Sequence, residues 1–342
     1  MTRAVQDLPK AHLHLHFTGS MRVDTVRELA ARHGIRLPDA LLADWPPRLA
    51  RATDERGWFR FQRLYDSARA CVRGEEDMRR IVREAAEDDA AEGSRWLELQ
   101  VDPTSYAPFV GGITPALEIV LDEARAVSAQ GRIGVGVVVA ASRMRHPLEA
   151  RTLARLAARH AGEEPGDVVG FGLSNDERRG LIGDFAPAFA IARRAGLALV
   201  PHGGELLGAQ SVMETLEQLG PDRIGHGVRS VEDPQVLDAV AEAGVTLEVC
   251  PGSNVALGVY ADRQEVPLRA IVDAGVPVAL GADDPLLFGS RLTDQYAAAR
   301  ELGFDDEELA GLARDSLHGS RMPERLRKAA LADVDSWLAD GS

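Results

Sequence analysis

From residue 96 onward, short apolar runs bounded by turn residues alternate with segments whose apolar positions recur at helical spacing. That rhythm is the mark of βα units feeding a parallel sheet. Counting the run at the start of the chain, the candidate strands are 11–17, 96–101, 133–140, 168–173, 197–202, 223–226, 246–250 and 276–281. Between them lie amphipathic stretches at 114–130, 147–160, 186–195, 212–219, 234–243 and 267–274. Two of these open on Pro234 or Pro267 and close on Gly244 or Gly275, the asymmetry expected of helix ends. Eight strands with intervening helices predict an α/β fold, a (β/α)8 TIM barrel spanning residues 1–342 as a single domain.

One segment departs from the rhythm, because about eighty residues separate the first strand from the second, far more than a simple crossover needs. A helical insertion after strand 1 is expected there, lying over the barrel. Trp58, Phe59, Phe61, Leu64 and Tyr65 concentrate aromatic bulk within it, although only 5% of the chain is aromatic. They can pack an extra helical layer, wall a ligand pocket as a lid, or do both.

Composition narrows the functional classes. A formal charge of −14 with no basic cluster argues against nucleic acid as a partner, since phosphate neutralisation needs a positive face. No apolar run approaches membrane-spanning length, and residues 1–10 lack the features of a secretory signal, so a cytoplasmic protein with no membrane association is expected. Cys71 and Cys250 are too few and too far apart for a disulfide framework or a C-x-x-C zinc staple. Oligomeric state is not legible in the sequence.

Candidate chemistry gathers at the ends of the predicted strands. His14 and His16 are two apart in a strand and so share a face; His12 shares it too, but sits earlier, as a packed or supporting residue. His202 closes an apolar run, and Gly203-Gly204 lets the chain turn so that Glu205 faces the same mouth. His226 stands between Gly225 and Gly227, and Asp283-Asp284 follows the last strand. Each piece has an ordinary alternative: a surface histidine pair, a helix N-terminal acid at Glu205, a turn histidine, an Asx loop before Pro285. Taken together they offer three histidines and a carboxylate to a zinc ion with a position left for water, the pattern of a catalytic site. Zinc would bring that water's ionisation to near neutrality and make hydroxide the nucleophile. The sequence has no lysine between residues 11 and 327, which disfavours a two-metal centre bridged by a carboxylated lysine, so one zinc per subunit is expected.

The stretches Leu8-Pro9-Lys10 through His14-Leu15-His16, His202-x-Gly204-Glu205, Arg223-Ile224-Gly225-His226, Cys250-Pro251-x-Ser253-Asn254 and Asp283-Asp284-Pro285 resemble the adenosine deaminase family, from residue 8 to about 320. The resemblance implies that His14, His16, His202 and Asp283 hold zinc and that Glu205 protonates purine N1. It further implies that His226 orients and deprotonates the attacking water, while Asp284 helps hold that water and contacts N7. The reaction would be hydrolytic loss of the 6-amino group of a purine nucleoside as ammonia.

The chain departs from the family pattern at the substrate. Where adenosine-specific members carry an Asp two residues after the second histidine, reaching the ribose 5′-hydroxyl, this chain has Thr18. Gly172-Leu173-Ser174-Asn175-Asp176-Glu177 stands where the family usually reads Asp-Leu-Ala-Gly-Asp-Glu, so Asn175 replaces a glycine whose backbone amide is implied to hold purine N3. A shorter, uncharged side chain at 18 makes room at the 5′ end and weakens preference for a hydroxyl there. The expected substrate is therefore a 5′-modified nucleoside such as aminodeoxyfutalosine of menaquinone biosynthesis, with Thr18, Gly172, Asn175 and Asp284 as substrate contacts. Adenosine or adenine deamination, a purine-binding relative without catalysis, and a hydrolase of cyclic amides or phosphoesters are the alternatives.

Overall fold

A computed structural model describes residues 3–43, 45–49 and 53–339; the ends of the expected 1–342 domain, residues 1–2 and 340–342, lie outside the described residues. Eight parallel strands follow one another in chain order: β1 (Lys10–His16), β2 (Ser94–Val101), β3 (Gly134–Ser142), β4 (Val168–Ser174), β5 (Ala198–Gly203), β6 (Arg223–His226), β7 (Thr246–Val249) and β8 (Val278–Leu280). The sheet closes where Asp283 N–H donates to His14 O at 2.9 Å and His16 N–H donates to Asp283 O at 3.0 Å. The result is a (β/α)8 TIM barrel, and its seam passes through three of the candidate ligand positions, His14, His16 and Asp283. Strand ends lie within two residues of the sequence expectation, and β6 coincides with it; the differences arise because chain that continues an apolar run can leave the hydrogen-bonded ladder.

The helices between strands form because their apolar positions repeat at helical spacing and face the sheet. Pro234–Ala243, for example, is capped by the Asp233 carboxylate accepting from Gln235 N–H and ends at left-handed Gly244, a conformation glycine adopts without cost. The insertion after β1 is helical as expected, with Val23–Arg32, Asp39–Leu42, Glu55–Arg69 and Glu75–Ala91. Trp58, Phe61 and Leu64 are buried in its layer, whereas Phe59 is exposed. His12 ties this insertion to the barrel: its Nδ1–H donates to Asp89 at 2.9 Å, and its Nε2 accepts from Ala282 N–H at 3.0 Å.

The lower barrel interior is polar, unlike a simple aliphatic core. Arg223 of β6 donates to Glu98 of β2 and, at 2.6 Å, to Glu248 of β7, and all three are at most 1% exposed. Such charges are tolerable in the interior only because each is paired and hydrogen-bonded. Among the described residues no helix is long and apolar enough to cross a membrane.

Candidate active site

The carboxyl ends of the strands open into a cavity of about 380 Å³, within the roughly 300–1,000 Å³ typical of small-molecule sites. His16, His202, Glu205, His226, Asp283 and Asp284 line its floor, and Trp58, Phe59, Phe61 and Tyr65 of the insertion form one wall. Both readings of the aromatic segment hold at once, as layer and as cavity wall.

Three imidazoles and a carboxylate converge. His14 Nε2 lies 3.1 Å from His202 Nε2, and His16 Nε2 lies 3.3 Å from both His202 Nε2 and Asp283 Oδ1. The His14 Nε2 to Asp283 Oδ1 separation is 3.8 Å. A tetrahedron with arms of ~2.0–2.1 Å, the zinc–nitrogen and zinc–oxygen distance, has edges of about 3.3–3.4 Å. The protonation pattern agrees with a shared cation. His14 Nδ1–H donates to Glu248 at 2.8 Å and His202 Nδ1–H donates to Leu173 O at 2.9 Å, which leaves both Nε2 atoms as bare lone pairs facing each other. Only a positive centre makes that arrangement favourable, so these residues fit zinc. Cys250 Sγ also approaches His14 and Asp283. Its thiol points to the backbone instead, donating to Glu248 O at 3.6 Å, and burial raises it well above the usual range.

Among the described non-glycine residues, positive φ occurs only at residues lining this cavity. Asn175, His226 and Asp283 adopt φ of 80°, 66° and 62°, a left-handed conformation that costs on the order of 1–3 kcal/mol each and persists where surroundings enforce it. Space is equally tight: a Cβ on Gly225 would lie 2.8 Å from His14 Cε1, and one on Gly19 would lie 1.7 Å from Asp284 Oδ1. The glycines beside the site are there because imidazoles and a carboxylate occupy the space a side chain would need.

Electrostatics separates an acid from a base. Glu205 is buried, and this burial, with the nearby Asp283, Glu177 and Asp284 carboxylates, raises its carboxyl well above the usual range. His226 Nε2 lies 3.6 Å from Glu205 Oε2, and burial together with the His14 imidazole pushes His226 down to about 3. A carboxyl that holds its proton more tightly than usual therefore faces an imidazole that resists protonation, a pairing suited to proton transfer. Burial and the adjacent Asp283 also raise Asp284. Burial opposes ionisation of Asp283 as well, but the His16 hydrogen bond and the surrounding imidazoles prevail and hold it low. Ser253 Oγ–H orients that carboxylate, donating to Oδ2 at 2.6 Å.

Of the expected substrate contacts, Thr18, Asn175 and Asp284 line the cavity and Gly172 does not; the space beside Gly172 is closed by Val200 O, Val138 and Ala140. Thr18 Oγ1 hydrogen-bonds Tyr106 Oη at 2.6 Å. The Asn175 side chain turns back, Oδ1 accepting from Asp176 N–H at 2.8 Å, rather than standing out over the cavity.

Two supporting carboxylates were not singled out from the sequence. Glu248 locks the His14 tautomer, and an acid in the otherwise apolar run 246–250 was the available clue. Glu177, 2% exposed, accepts from the backbone N–H groups of Gly204, Glu205, Leu206 and Leu207 at 2.5, 3.0, 2.7 and 2.9 Å, and from Ser211 Oγ–H at 2.5 Å. It holds the turn that presents Glu205.

The adenosine deaminase family model matches residues 9–337. The chain belongs to the adenosine deaminase family. It is accordingly a deaminase, a hydrolase of C–N bonds. A relative from Streptomyces coelicolor, provisionally named an adenosine/adenine deaminase, is 62% identical over 341 residues, covering 98% of each chain. A Streptomyces avermitilis protein named aminodeoxyfutalosine deaminase is 36% identical over 98% of this chain and 92% of its own. The crystal structure of an adenine deaminase from Arthrobacter aurescens superposes with a TM-score of 0.87 at 28% identity, covering 97% of this chain and 99% of that one.

Proposed function

We propose that His14, His16, His202 and Asp283 hold one zinc ion and that the enzyme removes the 6-amino group of a purine nucleoside altered at C5′. The observation that carries the reaction is a buried Glu205 carboxyl 3.6 Å from the His226 imidazole, beside the converging Nε2 atoms of His14, His16 and His202 and the Asp283 carboxylate. When bound, zinc supplies Lewis acidity that brings water ionisation toward neutral pH. The neutral His226 imidazole accepts the proton of the attacking water, and the Glu205 carboxyl delivers one to N1 as the C6–O bond forms. The proton taken up by His226 passes to the amino nitrogen, the C6–N bond breaks to release ammonia, and the C6 hydroxyl proton restores the Glu205 carboxyl as the C6 carbonyl forms. The raised Asp284 carboxyl keeps a proton to donate to N7, and its Oδ1 has no partner among the described residues. The Asn175 amide faces N3.

For the substrate's sugar, the supporting observation is Thr18. Its hydroxyl is engaged by Tyr106, no carboxylate stands at that position, and the cavity continues outward to Met144, Arg145 and Arg179. That leaves length for a 5′ extension, as in aminodeoxyfutalosine. The S. coelicolor relative favours a second reading, adenosine or adenine itself. Initial rates of ammonia release from aminodeoxyfutalosine, 5′-deoxyadenosine, methylthioadenosine, adenosine and adenine decide between them. The 5′-modified nucleosides should have the higher kcat/KM; a far higher value for adenosine or adenine would overturn the Thr18 argument.

A further inference from the structure

Three cavity-lining residues carry buried side-chain polar atoms with no hydrogen-bond partner among the described residues: His226, Asp284 and Gln100. The first two have chemistry in the proposed reaction. Gln100 has none, yet it is 1% exposed and neither Oε1 nor Nε2 is satisfied. Buried amides are ordinarily paired, and one left open on a cavity wall is a group held ready for a ligand. Asn254 is equally unpaired, but it does not border the cavity.

The position of Gln100 follows from strand alternation. Trp96, Glu98 and Gln100 share one face of β2, and Glu98 reaches across the barrel interior to Arg223. Gln100 is thus the next inward residue toward the open end, in register with His16 of β1.

Resting on the proposed placement of the base, the order of groups round the barrel locates what Gln100 faces. Glu205 at N1 follows β5, Asn175 at N3 follows β4, and Asp284 at N7 follows β8. Round a purine the order is N1, N3, N9, N7, so N9 and its sugar are directed at the arc from β3 through β2 to β1. Gln100 is in the middle of that arc, and Thr18 and Tyr106 lie at its outer edge.

We propose that the Gln100 carboxamide is a specificity-determining contact for a ribose hydroxyl. A hydroxyl both donates and accepts, and the carboxamide offers one acceptor and two donors with no competing partner. A site so equipped discriminates against a sugar that lacks the hydroxyl, because the amide is then left buried and unpaired.

The test is a substrate-by-variant comparison of wild type and Gln100→Leu, using adenosine and its 2′-deoxy, 3′-deoxy and 5′-deoxy forms, with zinc content and melting temperature recorded. Gln100→Leu should lower kcat/KM on the intact nucleoside by on the order of 10²-fold. The loss should shrink to about threefold or less on the one analogue that lacks the contacted hydroxyl, with zinc content unchanged. Equal losses on every analogue, or no loss on any, would overturn the assignment. Gln100→Met, of matched length, replaces the leucine variant if that one fails to fold. A wild type that releases no ammonia from these four, from aminodeoxyfutalosine or from adenine overturns the deaminase reading itself; activity confined to adenine, or an active wild type with an indifferent Gln100→Leu, overturns the Gln100 assignment alone.

Discussion

Replacing Glu177 with Gln tests how the acid is held in place. Glu177 Oε2 accepts from three consecutive backbone N–H groups, Glu205 to Leu207, while Oε1 accepts from Gly204 N–H and Ser211 Oγ–H. A carboxamide keeps its oxygen on the side of the three amides and sets an NH2 against the other two donors. Hydrogen bonds to a charged acceptor are each worth about 1.5–3 kcal/mol, so two lost bonds would cost about 3–6 kcal/mol. Ser211 can rotate to accept from the new NH2, which leaves Gly204 N–H as the main opposed group and places the cost near 3 kcal/mol. Against a stability of roughly 5–15 kcal/mol the variant folds. The turn carrying Glu205 shifts, and a displacement of about 1 Å costs on the order of 10² in rate. The assay combines urea unfolding, metal analysis and the pH dependence of ammonia release. Expected are full zinc content, a kcat/KM lowered about 10²-fold, and an alkaline limb moved to lower pH, because the Glu177 charge is one of the causes that raise Glu205. A kcat/KM within about threefold of wild type, or an unmoved alkaline limb, would refute this reasoning.

Other outcomes follow from the same geometry. Glu248→Gln removes the carboxylate that receives His14 Nδ1–H, so zinc affinity should fall by about 10- to 100-fold in a competition titration with a chelator. Burial works against ionisation of Glu248, but Arg223 and His14 outweigh it and hold its folded pKa below 4.5. Its contribution to stability is therefore complete above pH 4.5 and is lost as pH falls through the folded value, and acid unfolding curves of the variant should be less steep there. Because Glu205 must start protonated and its pKa is raised, kcat/KM should fall on the alkaline side as the group ionises. Glu205→Gln should abolish that limb and lower kcat by several orders of magnitude while zinc stays bound.

Much of the barrel was legible because strand and helix periods differ and each βα unit repeats the contrast. The chemistry-bearing residues were legible for a related reason: His14, His16, His202, His226 and Asp283 all lie at or near the carboxyl ends of apolar strands, and in this fold those ends face the same mouth. Glu177 was not legible, since its five donors lie 27 to 34 residues away and only the folded turn brings them to one carboxylate. Glu98, Arg223 and Glu248 were readable in part, as charges inside buried strands, but sequence could not say that they pair with one another across the barrel. Gln100 is a further case, because an amide in a strand attracts notice only once its partners are known to be missing.

The account depends most on a single cation held between Nε2 of His14, His16 and His202 and the Asp283 carboxylate. Elemental analysis of the purified protein, paired with His202→Ala, measures this most directly. About one zinc per chain in the wild type, lost in the variant together with ammonia release, is the predicted result. Purified active enzyme containing no stoichiometric transition metal, or a variant that keeps both zinc and turnover, would contradict it.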